Sequence, residues 1–181
     1  MSLLKSLLTN IFIETRFKSV SPNSRCFFLA GFTDKQLEAI EARTVDSITH
    51  MNRFPRVVDT ENLKPKEIFD VINKEYSYSM EHTCLKLMHT FQDSDTVFIL
   101  KNLSKADSKG PKGEIIRRLV EILDSTYKQH FDAKSDLIII DKASFLEENW
   151  DVISDHIIYN LPSHFETCND CLIDYAMHYR N

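Results

Sequence analysis

The feature that most constrains this chain is the alternation of short apolar segments with segments of helical periodicity. The apolar segments, each typical of a buried β-strand, are CFFLAG, RVVD, TVFIL, DLIII and HIIYNL. Between them, apolar residues recur at the three- and four-residue spacings of amphipathic helices. Parallel strands need such crossover helices, because a tight hairpin joins only antiparallel neighbours. The sequence therefore predicts an α/β three-layer sandwich with a mostly parallel sheet of about five strands.

Local signals predict where several helices begin. Capping-box patterns occur at the pairs Thr33/Gln36, Ser144/Glu147 and Ser163/Glu166. Pro65 predicts the start of a further helix, and the spacing of its apolar residues extends the buried face as far as Tyr76. The Thr33/Gln36 signal also predicts that the strand CFFLAG and the helix after it are joined by about two residues, Gly31 and Phe32.

The length and composition favour one domain. With 181 residues, of which 43% are hydrophobic, the chain can build one substantial core but not two. We expect an N-terminal helix and loop over 1–20, an α/β core over 24–163 and a C-terminal helix over 163–179. No internal repeat or low-complexity segment interrupts this division.

Charge and hydropathy narrow the class of protein. The apolar run LLKSLL is interrupted by Lys5 and Ser6 and is far shorter than the roughly 20 residues that a membrane span needs. We therefore expect no membrane association and a cytoplasmic location. The formal net charge is -5, and residues 141–181 are strongly acidic. This balance argues against a general nucleic-acid binder.

The cysteines raise the question of a zinc site. Cys168 and Cys171, with His164 and His178, form an H-x3-C-x2-C-x6-H pattern of zinc-ligand residue types. On one continuous helix, however, the two histidines would lie about 21 Å apart. We therefore expect the cysteines to pack on the inner face of a helix and the protein to hold no metal, with Cys168 and Cys171 as the weaker metal alternative.

A longer resemblance involves the middle of the chain. The segment VFILKNLSKADSKGPKGEIIRRLVEILDSTYKQHFDAKSDLIII resembles an AAA+ ATPase module of the P-loop NTPase lineage, in which a Walker B strand leads to a helix and then to a sensor strand. Within it, residues 119–133 are similar to the same region of Lon-type proteases. The later stretch SFLEENWDVISDHIIYNLP resembles the part that runs past the arginine finger. The resemblance covers residues 24–163, and an α/β domain unrelated to AAA+ proteins fits the same pattern.

The departures from that family concern its catalytic residues. At the Walker A position the chain reads GFTDKQ, which keeps Lys35 but has one glycine and places Asp34 where it would repel an anion. At the Walker B position, Lys101 and Asn102 replace the acids that hold magnesium and orient water. The finger position reads Ser154-Asp155-His156. The resemblance thus implies a pseudo-ATPase that is not an enzyme and uses no cofactor.

One basic segment is the best sequence candidate for a binding surface. Its members are Lys101, Lys105, Lys109, Lys112, Arg117 and Arg118. We expect its loop to be exposed and mobile and to bind an acidic protein partner, in an accessory or regulator of an ATPase or DNA-processing assembly. The alternatives are a solvated connector, a small nucleotide- or nucleic-acid-binding module using Lys35 or the 101–118 region, and an enzyme of unrecognised chemistry.

Overall fold

A computed structural model describes residues 26–50, 52–93, 95–130 and 132–149, and the backbone of 157–160. The strands are β1 (Cys26–Gly31), β2 (Phe54–Asp59), β3 (Thr96–Lys101), β4 (Asp136–Lys142) and β5 (Ile157–Asn160). The helices are α1 (Asp34–His50), α2 (Pro65–Asn73), α3 (Met80–Asp93), α4 (Gly113–Gln129) and α5 (Ala143–Glu148). A 3-10 turn, Leu103–Lys105, follows β3.

The five described strands form one sheet in the order β2-β3-β4-β1-β5, with every neighbouring pair parallel. In this register Ile99 of β3 pairs with Ile138 of β4, and Ile139 of β4 pairs with Phe28 of β1. The prediction of a mostly parallel α/β sheet of about five strands is confirmed. Chain connections leave β1 and β4 in opposite directions along the sheet, so a topological switch point lies between these two strands.

The core lies on both faces of the sheet. On one face, alternate side chains such as Phe28, Phe98 and Ile139 pack with buried residues of α2, α3, α4 and α5. On the other face, α1 packs against β1, β4 and β2, and its Ile40 and Ile48 are buried. Because the central strands are covered on both sides, they read as continuous apolar runs rather than as alternating ones.

Two local predictions were wrong. Tyr76 does not continue the buried face of α2, because Lys74 takes the left-handed conformation (φ 55°) and ends the helix. The side chain of Tyr76 is 75% exposed. Ser144 is not an N-cap either: β4 runs straight into α5 with Lys142 at the cap position, so Ser144 lies inside the helix.

Some predictions concern residues that the structure does not describe. These are the N-terminal helix over 1–20, the C-terminal helix over 163–179, the cysteine pair Cys168 and Cys171 with its two histidines, and Ser154–His156 at the finger position. Among the described helices, none has the length and apolar character required to cross a membrane.

One arginine joins the amino ends of three strands. Arg53, just before β2, donates to the carboxylate of Asp136 at the start of β4 and to the carbonyl of Lys134. Its Nε lies 3.2 Å from Asp95 Oδ1, directly before β3. Since Asp136 is fully buried, its carboxylate needs this charged donor.

Candidate functional site

The carboxyl ends of the strands form the candidate site. In open parallel sheets, ligands bind outside these ends at a topological switch point. Here the edge consists of the two-residue turn Phe32–Thr33 after β1, the end of β3 at Lys101 and Asn102, and the end of β4 at Asp141 and Lys142. The first two parts are positions where the sequence departs from the AAA+ ATPase pattern, and the third is the end of the strand matched to the sensor strand.

The turn after β1 is closed by a buried glutamine. Gln36 Oε1 accepts hydrogen bonds from the backbone N–H groups of Phe32 (2.7 Å) and Thr33 (3.2 Å). In return, Thr33 Oγ1 accepts a bond of 3.1 Å from the backbone N–H of Gln36. The predicted capping box is thus confirmed, and Gln36 is only 2% exposed. Two backbone amides after β1 are thus bonded to the chain's own carboxamide.

Gly31 has a packing role at the start of this turn. A Cβ atom added to it would lie 2.9 Å from Cδ2 of Leu37 and 3.3 Å from Cδ1 of Ile40, both in α1. Its φ is not positive, so the turn makes no demand for the left-handed conformation. The glycine therefore allows the close approach of α1 to β1.

The start of α1 carries charges of both signs. Asp34 Oδ1 lies 3.1 Å from Lys142 Nζ at the end of β4. Lys35, the residue matched to the Walker A lysine, is exposed. An anion approaching this helix start would meet the carboxylate of Asp34, and the nearest cation of β4 is already paired with it.

The end of β3 is occupied by an ion pair that the sequence did not reveal. Lys101 Nζ lies 2.7 Å from Glu41 Oε2 of α1 and 3.9 Å from Asp59 Oδ2 of β2. The hydrogen bond to Glu41 is the main cause of a raised pKa for Lys101, and the charges of Asp59 and Glu38 add to it against the effect of burial. Lys101 is therefore held in its charged form between carboxylates.

Asp59 is itself fixed by neighbours. Asn102 has a positive φ of 62°, and its Nδ2 donates to Asp59 Oδ1 at 2.9 Å. The backbone N–H of Glu61 donates to the same oxygen at 3.1 Å. Burial alone would raise the pKa of Asp59, but these two bonds and the charges of Lys101 and Lys105 outweigh it and lower the pKa. Asn102 thus positions the carboxylate that faces Lys101.

The polar residue at the end of β4 organises the loop after β3. Asp141 is buried, and its carboxylate accepts hydrogen bonds from Ser104 N (2.9 Å), Ser104 Oγ (2.7 Å) and Lys142 N (2.8 Å). Lys112 donates in turn to the carbonyl of Ser104. We expected the whole loop after β3 to be mobile, but its first part, at Ser104, is anchored to β4.

The six basic residues do not form one patch. Lys101 and Lys105 lie beside Asp59, whereas Arg118 lies close enough to Cys84 of α3 to act on its pKa, which burial raises. The remaining contacts are those of Lys112 with Ser104 and of Arg117 with Glu114 at 2.6 Å, while Lys109 is exposed. Lys105 and Lys109 are the exposed lysines of the 3-10 turn and of the loop that follows it.

These residues do not fit a magnesium-bound nucleotide. Magnesium requires oxygen ligands, yet an ammonium group stands at the end of β3. Among the described residues, no group of three or more His, Cys, Asp or Glu side chains could hold a metal ion. The backbone amides after β1 are bonded to Gln36. At this edge, the two backbone N–H groups and the ammonium group of Lys101 therefore already contact groups of the chain itself.

Comparison with solved structures identifies the fold. A chain in the structure of Drosophila ORC bound to AT-rich DNA and Cdc6 matches 88% of this chain with a TM-score of 0.52 and 13% identity. A chain in the structure of Drosophila ORC bound to GC-rich DNA and Cdc6 matches 92% with a TM-score of 0.54 and 15% identity. The fold is AAA+-like.

The AAA+-like chain covers only part of those proteins. It spans 54% and 60% of the two matched chains. A chain of the E. coli MS115-1 HORMA:CdnC:Trip13 complex also matches, with a TM-score of 0.42 and 8% identity. No protein-family model and no curated protein sequence matches this chain. At such identities the likeness is one of fold.

Proposed function

We propose that this AAA+-like domain is non-catalytic and acts through protein association, as an accessory or regulator of an ATPase or DNA-processing assembly. The observation that carries the proposal is the Lys101–Glu41 ion pair of 2.7 Å at the end of β3. A cation fixed there can neither ligate magnesium nor orient a water for attack on phosphate. The domain keeps the fold without the donor set that phosphate chemistry requires.

The setting of the matched structures supports an assembly. Both Drosophila structures contain ORC with DNA and Cdc6, so this type of fold occurs there within a multi-protein complex. Within this chain, Lys105 of the anchored 3-10 turn and Lys109 of the loop after it are both exposed near the carboxyl ends of the strands. Exposed lysines on an anchored segment suit an acidic protein surface, because little conformational freedom is lost on binding.

The nucleic-acid alternative has less support. Lys101, Lys112 and Arg117 already contact groups of the chain itself, which leaves half of the basic set for phosphates. Stacking aromatics, which single-stranded binders combine with basic residues, are absent from the segment 101–118. Retention on DNA that declines steeply with salt would favour this alternative over protein association.

Calorimetry with magnesium-ATP tests the non-catalytic part of the proposal. We expect no binding at micromolar concentrations and no phosphate release, because Gln36 and Lys101 fill the places that phosphate and magnesium need. Micromolar binding that disappears in Lys35→Ala would show that the proposal is wrong and that Lys35 serves a nucleotide site.

Charge reversal tests the association surface. We expect the double variant Lys105→Glu/Lys109→Glu to fold normally and to lose most of its capture of a specific partner. Lys74→Glu/Lys128→Glu changes the net charge equally at two exposed lysines, one directly after α2 and one near the end of α4, and this control should retain capture. Equal capture by the two variants would exclude the 3-10 turn and its loop as the binding surface.

A further inference from the structure

We propose that Lys101 is a built-in counter-ion, whose ammonium group neutralises carboxylates of α1 and β2 at the end of β3 and fastens α1 to the β2–β3 edge. The inference goes beyond the proposed function, because it concerns how this edge holds its shape and does not depend on any partner. It follows from the mismatch between the AAA+-like fold and the residues at this position.

The charges around Lys101 require a cation. Glu41 lies 2.7 Å from its Nζ and Asp59 lies 3.9 Å away, and Glu38 is near enough to favour the charged lysine. Removing the ammonium would leave like charges facing one another at a partly buried position, which is unfavourable. The lysine therefore neutralises carboxylates that would otherwise repel one another.

The contact joins three separate elements. Glu41 belongs to α1, Asp59 ends β2 and Lys101 ends β3. The backbone of Lys101 is held as well, since its carbonyl accepts bonds from Thr60 N (3.0 Å) and Thr60 Oγ1 (2.8 Å). With both its backbone and its ammonium fixed, Lys101 sets the position of α1 relative to the neighbouring strand ends.

Partial burial gives this ion pair more weight than a surface pair. The side chains of Lys101 and Glu41 are 28% and 23% exposed, whereas those of Arg117 and Glu114 are 46% and 58% exposed. Exposed pairs contribute little to stability, because water and salt screen them. The Arg117–Glu114 pair is therefore a matched control of the same charge type within the same chain.

A double-mutant cycle on the full chain tests the proposal. The variants are Lys101→Met, Glu41→Gln, their combination, the exchanged pair Lys101→Glu/Glu41→Lys, and the control Arg117→Met. We expect Lys101→Met to lower the thermal midpoint by about 2–4 °C and Arg117→Met by no more than about 1 °C. The combined variant should lose less than the sum of the two single losses, and the exchanged pair should recover part of the loss.

The cycle also has results that would overturn the proposal. Losses from Lys101→Met and Glu41→Gln that match Arg117→Met, or that simply add in the combined variant, would show that the pair does not fasten α1. If Lys101→Met does not fold, Glu41→Gln and the exchanged pair decide in the same way. The thermal midpoint of the native chain should not move with magnesium or ATP, and a rise with magnesium would contradict an internal counter-ion. Partner capture is measured separately, so failure there leaves this test intact.

Discussion

At the scale of single residues, Asp124 is a carboxylate whose charged form is destabilised by partial burial. It lies on α4 and is partly buried, and burial raises its pKa. Its Oδ1 has no hydrogen-bond partner in the described part of the chain. Its charge also acts on Cys26, whose pKa is raised first by complete burial and then by Asp124 and Asp136. Burial favours the neutral form of Asp124, and the nearby charge of Lys128, which lowers the pKa, does not outweigh it.

We therefore expect Asp124→Asn to stabilise the protein at neutral pH. A folded pKa above the unfolded value means that the stability linked to Asp124 is present below about pH 4 and is lost as the pH rises through the folded pKa. The variant should raise the thermal midpoint by about 2 °C at pH 7, with a difference that shrinks as the pH falls towards 4. Asp132→Asn, at an exposed residue after α4, is the control. An equal effect of the two variants would contradict the role of burial.

Residue chemistry also explains what the sequence could reveal about the site. The Thr33–Gln36 capping box was predictable because its two residues are three positions apart. The Lys101–Glu41 pair was not, because 60 positions separate its members and only the folded sheet brings them together. Lys101 was singled out as a departure from the ATPase pattern, but its partner carried no local signal.

At the scale of elements, α1 and β1 approach each other closely because of one glycine. The Cβ of an alanine at position 31 would lie 2.9 Å from Leu37 Cδ2, whereas nothing lies within 4 Å of a Cβ at Gly110. We expect Gly31→Ala to lower the free energy of unfolding by about 1–3 kcal/mol through overpacking. Gly110→Ala should change it by less than about 1 kcal/mol in either direction.

Urea denaturation of the two alanine variants measures this difference. Leu37 is only partly buried and its Cδ2 is the end of a flexible side chain, so the cost should lie towards the lower part of the range. Equal midpoints for the two variants would show that α1 moves away from β1 without cost, against the close packing described above.

The order and types of the described elements were predictable, because each buried strand and each amphipathic helix has its own periodicity. The residues at which the elements end were less predictable. Tyr76 has suitable spacing for α2, yet the left-handed Lys74 stops the helix first. Ser144 and Glu147 match a capping box, yet β4 continues through Lys142 and leaves no turn for a cap. Both errors arise where tertiary connections override a local pattern.

At the scale of the whole molecule, Arg53 joins parts of the chain that are far apart in sequence. It contacts Asp95 and Asp136. Asp136 is fully buried, so removal of the arginine charge would leave a buried carboxylate without this partner. We expect Arg53→Met to lower the free energy of unfolding by about 3–5 kcal/mol. Chemical denaturation followed by circular dichroism measures the change.

A second substitution separates charge from packing at Arg53. In Arg53→Met/Asp136→Asn no charge remains buried at this position, so the double variant should lose less stability than Arg53→Met alone. A double variant that loses as much as both single changes together would show that the arginine matters through its packing and not through its charge.

The strand order has a consequence for the folding of β1 during synthesis on the ribosome. β1 is the first described strand, but its sheet neighbours are β4 and β5, and Cys26 pairs with Leu137. More than 100 residues must therefore leave the ribosome before β1 has any edge to join, which takes about 5–20 s at ordinary rates of synthesis. β2, β3 and β4 can pair with one another in the order in which they are synthesised, whereas CFFLAG has no strand to pair with until β4 is complete. The first of the described strands to be synthesised is thus among the last to be enclosed, and we expect it to be accessible to chaperones as an apolar segment during that interval.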